Sequence, residues 1–130
     1  MSTEIVLRGA LMAALRDHAP LADAVNGIYA APVIRPAIPY VELGPIAARD
    51  WSTKTEPGRE LRFALSIFDQ DERAERLAEL MAEAETAIAA LPRDLSGWRV
   101  ASCVFLRGRV DRSTNSWRGI IDYRVRMLAV

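Results

Sequence analysis

Residues 59–69 read RELRFALSIFD. Leu61, Phe63, Leu65 and Ile67 fall on one parity, and Glu60, Arg62, Ala64 and Ser66 on the other. That alternation predicts a β-strand with one buried face. The C-terminal stretch 117–130, WRGIIDYRVRMLAV, alternates too: Trp117, Gly119, Ile121, Tyr123, Val125 and Met127 against Arg118, Ile120, Asp122, Arg124, Arg126 and Leu128. Between them, Trp98–Arg109 carries apolar residues on both parities, with Val100, Val104 and Leu106 on one and Ala101, Cys103 and Phe105 on the other. Double-sided apolarity predicts a central strand, or one with a face covered by a partner. The polar run 110–116, VDRSTNS, joins the last two strands into a long C-terminal β-hairpin.

Helical spacing flanks these strands. Ile5, Leu11, Met12 and Leu15 predict a first helix, with Ala10 and Ala14 beside the stripe. Ser2 or Thr3 caps it, Glu4 sits in the first turn and Pro20 stops it. Pro20–Asn26 reads as a short second helix or turn closed by Gly27. Residues 30–39 hold three prolines and read as extended linker, before a short strand Tyr40–Leu43 closed by Gly44-Pro45. Residues 45–58 show no steady period and contain Trp51. A structureless stretch of that length is more often functional than decorative. Asp69 and Glu72 fit a capping box before a long helix over about residues 70–91. Its stripe is Ala74, Leu77, Leu80, Met81, Ala84, Ile88 and Leu91, and Pro92 ends it.

The sum is one α+β domain over residues 1–130: a mostly antiparallel sheet with two helices on one face. A strand over residues 117–129 would run roughly 40 Å. The radius of gyration expected for this length is only about 14 Å. The hairpin therefore bends at Gly119 within its own subunit or reaches towards a neighbour.

The apolar fraction of 51% and the seven Gly and seven Pro in 130 residues exclude a disordered or collagen-like chain. No apolar run approaches the ~20 residues of a bilayer span. The N-terminus lacks a basic start and an unbroken apolar centre, as in a mature protein made in the cytosol. One cysteine, Cys103, and one histidine, His18, supply neither a disulfide nor a multi-histidine metal site. Cys103 reads as a small core residue, and His18 as a solvated helix-end residue. The isolated glycines form no phosphate loop. The acid pairs Glu75/Glu79 and Glu79/Glu83 lack a His or Cys partner. No catalytic set, cofactor site or metal site emerges.

Net charge is zero but unevenly spread. Residues 60–91 sum to −5, and residues 93–130 to +5, with eight arginines. Two readings follow. Arg107, Arg109, Arg112, Arg118, Arg124 and Arg126 could track nucleic-acid phosphates, with Trp117 and Tyr123 stacking on bases. Those two aromatics, however, share the parity of the apolar face. The other reading sets the basic hairpin against the acidic helix of an adjacent copy, since a closed ring needs unlike surfaces that meet head to tail. Pairing of hairpin and helix within one subunit is the alternative to it.

Several short motifs occur in a telling order: LADAVNGIY (21–29), PYVELG (39–44), the Trp51 loop, the Leu61–Phe68 strand, DERAERLA (71–78), LSGW (95–98) and RGIIDYRV (118–125). This order resembles the tail-completion, or tail-terminator, family of long-tailed phages and related gene-transfer agents, over nearly the full chain. The resemblance implies a non-enzymatic virion protein at the head–tail junction, made in the bacterial cytoplasm. It implies a six-fold homo-oligomeric ring on the head-proximal end of the tail tube, which stops tube growth and docks the head connector. DNA would be met at most in passing through the lumen, and no membrane is involved. The expected contact residues are Trp51, Glu75, Glu79, Glu83, Arg107, Arg109, Arg112, Arg118, Arg124 and Arg126.

Overall fold

The computed structural model describes residues 2–34 and 36–130. The two alternating stretches pair with each other. Strand β4 (Gly58–Asp69) runs antiparallel to β7 (Trp117–Ala129), in unbroken register from Gly58↔Leu128 to Asp69↔Trp117. On its other edge β4 meets two short strands end to end: β3 (Ala47–Asp50) along Arg59–Arg62, and β2 (Tyr40–Leu43) along Leu65–Phe68. Strand β1 (Ile28–Ala30) joins β2 in parallel. Beyond β7 lie β6 (Trp98–Arg112) and the two-residue β5 (Asp94–Leu95). The sheet order is β1-β2-β4-β7-β6-β5, with β3 on β4. The fold is α+β, as the periodicities predict.

The helices α1 (Thr3–Asp17), α2 (Ala19–Ala22) and α3 (Glu75–Ala89) pack on one face of this sheet. Leu7, Leu11, Leu15, Leu21, Leu77, Leu80, Ala84 and Ile88 meet Leu61, Phe63, Leu65, Ile67, Ile121, Tyr123, Val125 and Met127. Ser2 caps α1, its hydroxyl accepting from the Ile5 N–H at 3.3 Å. The α1 stripe is rotated from the expected one. Val6 and Leu7 are buried, while Ile5 is 58% exposed. Leu7, Leu11 and Leu15 repeat at i,i+4, and Ile5 sits roughly 200° around the helix from Leu7.

Four further expectations are corrected. Helix α3 begins at Glu75, not at residue 70, and Ala74 is its exposed N-cap. Asp69 does not cap it: its buried carboxylate accepts from Arg76 Nε at 3.0 Å at each oxygen, tying the end of β4 to the first turn of α3. The linker over residues 30–39 is anchored, since Asn26 donates to the carbonyls of Ala37 and Ile38; Arg35 in that segment lies outside the described residues. Residues 45–58 contain a strand, because β3 is held by backbone pairing and an Arg49–Glu60 ion pair, not by apolar burial. Strand β6 is not central. Only β5 lies outside it, and it continues to Arg112, leaving Val104, Phe105, Leu106 and Val110 37–52% exposed.

Nor does β7 bend at Gly119, which pairs with Ile67 and Val110 in regular register. Its missing side chain is where α3 approaches: a Cβ there would stand 2.5 Å from Met81 Sδ. Gly119→Val should therefore push Met81 and α3 off the sheet. Urea unfolding should register a loss of roughly 1–3 kcal/mol, the usual range for overpacking.

Candidate functional site

The face of the sheet away from the helices carries the charge. Even-numbered residues of β7 point there, and Ile120, though buried, stands outside the core cluster. Cross-strand register arranges this face in rows. One row is Arg49, Glu60, Arg126 and Ser102; the next is Ala47, Arg62, Arg124 and Val104; a third holds Ala64, Asp122 and Arg107. With Arg109, Arg118, Glu42 and Asp111 the face sums to +3.

Glu60 is 2% exposed although no helix covers it. Arginines cover it instead. Arg49 Nε donates to Oε2 at 2.6 Å and Arg126 Nε to Oε1 at 3.0 Å, while Arg62 Nε stands 3.9 Å from Oε2. The Arg126 guanidinium lies 5.1 Å over the Trp51 ring, so the β3–β4 loop is bound into the same cluster. That loop is well formed: the Trp51 N–H donates to the Gly58 carbonyl, and Ser52 Oγ accepts from the Gly58 N–H. Burial pushes the Glu60 carboxyl up, but hydrogen bonds and charge from Arg126 and Arg49 outweigh it and hold the group below the usual carboxylate range. Asp69 follows the same pattern, with burial outweighed by Arg76 and the backbone N–H groups of Gln70 and Asp71.

The expected contact residues divide between two faces. Trp51, half-buried, belongs to the helix-free face with Arg107, Arg109, Arg118, Arg124 and Arg126. Arg107 pairs with Asp122 at 2.7 Å, and Arg118 lies 5.8 Å over Phe68. Arg112, on the other parity, sits 4.5 Å over Trp117. Glu75, Glu79 and Glu83 lie on α3, behind the sheet. Glu75 and Glu79 are exposed, whereas Glu83 is bonded to His18 Nε2 at 2.7 Å. His18, expected to be solvated, thus ties the end of α1 to α3 and keeps only 22% of its side chain exposed. Cys103 is half-buried against the core, and burial pushes its thiol up.

Among the described residues, Glu60–Arg126 is the only ion pair between the acidic block 60–91 and the basic block 93–130. The sheet stands between the α3 acids and the arginines of the helix-free face, so those two sets do not pair within the subunit. The sequence reading missed Arg49, Glu60 and Arg62 as members of the cluster. Alternation had placed Glu60 and Arg62 on the polar parity, but only cross-strand register brings them to Arg126 and Arg124.

This arrangement is an α+β subunit with a charged, helix-free sheet face. Comparison with known proteins narrows the class. The tail completion protein gp17 family matches residues 9–128. A chain in the virion of a native gene transfer agent particle is 29% identical and superposes with a TM-score of 0.80, covering 95% of each chain. The gp17 protein of bacteriophage SPP1 shares the fold, with a TM-score of 0.63 at 21% identity, over 94% of this chain and 88% of that one. No curated protein matches at a significant level. The chain belongs to the tail completion protein gp17 family, and its role is structural, in tail completion.

The two depressed carboxyls set an acid limit. The stability they contribute is fully present above the unfolded carboxyl pKa, near 4. It is lost as pH falls through their lower folded values. Glu60→Gln and Asp69→Asn should each flatten the fall of the thermal midpoint between about pH 5 and pH 2, and should lower the midpoint at pH 7.

Proposed function

We propose that this protein forms a homo-oligomeric ring that caps the head-proximal end of a tail tube, stops its growth and presents a docking surface to the head connector. Six copies and a position at the head–tail junction of a virion follow from the family resemblance. Assembly precedes release from the bacterial cytoplasm, and no catalysis is involved. The observation that carries the reading is the separation of unlike charge: exposed acids on α3 and, on the far side of the sheet, an arginine face that keeps a positive excess beyond its own pairs with Glu60 and Asp122. Surfaces of opposite sign on opposite sides suit head-to-tail contact between copies. The match to a gene transfer agent virion chain is in keeping with this setting.

In this reading Glu75, Glu79 and Glu83 present one side of the contact. Arg107, Arg109, Arg118, Arg124 and Arg126 present the other, Arg112 lies on the α3 side over Trp117, and the Trp51 loop and the hairpin end reach the tube or connector. A nucleic-acid role for the hairpin has less support, because Tyr123 is buried on the helix-covered face and Trp117 already lies under Arg112.

Native mass measurement, alone and with tail-tube subunits, tests the proposal. Higher oligomers are expected at least on the tube, and a monomer under both conditions overturns it. Trp51→Ala should weaken assembly by ~2 kcal/mol or more, as for an interface anchor. It should lower the stability of the isolated subunit by only about 0.5–1 kcal/mol, the worth of its contact with Arg126.

A further inference from the structure

The rows of the helix-free face differ in one respect. Glu60 lies between Arg49 and Arg126, and Asp122 pairs with Arg107. The row between them has no acid at all: Arg62 and Arg124 stand directly opposite each other, flanked by Ala47 and Val104. Like charges directly opposite in an antiparallel pair destabilise it. Glu60 relieves them only in part, since the oxygen nearest Arg62 is 3.9 Å away and already bonded to Arg49 at 2.6 Å. Arg124 Nε is buried without a hydrogen-bond partner. A groove of about 350 Å³, lined by Ala47, Ala48, Arg49, Glu60 and Arg62, opens beside Arg62, whose side chain is 59% exposed.

We infer that the Arg62–Arg124 pair is a receptor for one carboxylate, delivered by Glu79 on helix α3 of a second copy of this chain. The inference rests on the ring reading above and adds to it a contact centred on the sheet face, not on the hairpin tip. A carboxylate is the matching group because arginine's planar fork binds it by two parallel hydrogen bonds. The second copy is the matching source because the acids lie behind the sheet and cannot reach this face of their own subunit. Among the described acids of α3, Glu79 is exposed with no ion pair, while Glu75 is weakly held by Arg73 at 3.9 Å, Glu83 is bonded to His18 and Glu85 is half-buried. A nucleic-acid backbone fits less well, since its row of phosphates would also meet the partly exposed Asp122 beside the pair.

Arg62→Glu tests the site, because it supplies the absent carboxylate from the same chain. Sedimentation velocity of the full-length protein, alone and with tail-tube subunits, should show self-association weakened at least tenfold. The thermal midpoint of the isolated subunit should instead rise by about 1–4 °C, as the new carboxylate faces Arg124. Adding Glu79→Arg should recover association. Arg62→Ala, which adds no charge, should weaken association without the rise in midpoint, and it serves if Arg62→Glu does not fold. Wild-type association by Arg62→Glu or Arg62→Ala overturns this site and leaves the ring reading intact, and so does a double variant that regains nothing. Absence of association by the unaltered protein in both settings overturns both. Loss of duplex DNA retention at low salt in Arg62→Ala, with association unchanged, assigns the pair to phosphate and overturns the proposal.

Discussion

The register between Gly58–Asp69 and Trp117–Ala129 governs the rest of the molecule. It sets Leu61, Phe63, Leu65 and Ile67 beside Val125, Tyr123, Ile121 and Gly119 on one face. On the other it sets Glu60 beside Arg126 and Arg62 beside Arg124. A slip of one residue would turn the arginines into the core and the leucines into water. The apolar face fixes the pairing because the helices can bury only one parity. The charged face inherits its pattern from that choice.

Polar contacts then lock the helix layer to the sheet. Asp69 and Arg76 join the end of β4 to the first turn of α3, and His18 and Glu83 join the far end of α1 to the middle of α3. Gly119 leaves the space into which Met81 settles. The acidic helix is thereby held behind the sheet, and its exposed carboxylates cannot meet the arginines in front. Unlike charge stays separated because a packed apolar layer lies between the two surfaces.

Glu60 has the corresponding role on the open face. One buried carboxylate gathers arginines from two neighbouring strands, and through Arg126 it holds the Trp51 loop. The loop and the arginines thus form one ordered surface, which lowers the entropy lost when a partner binds.

Periodicity alone determined much of this fold. β4, β7, α1 and α3 were legible because each alternates or repeats over ten or more residues, and β6 because it is a long β-branched and aromatic run bounded by turn residues. Strand β3 was not legible, because Ala47–Asp50 are all exposed and are held by backbone pairing and an ion pair. The start of α3 was misplaced because Asp69, a good cap by type, is engaged by Arg76. The charge split could be counted from the sequence, but counting could not say whether the two blocks touch. That was decided by strand order and by the helices sharing one face, which rest on contacts between residues far apart in the chain. The cluster of Arg49, Glu60, Arg62, Arg124 and Arg126 exists only in the folded state, because cross-strand neighbours are set by register and not by sequence distance.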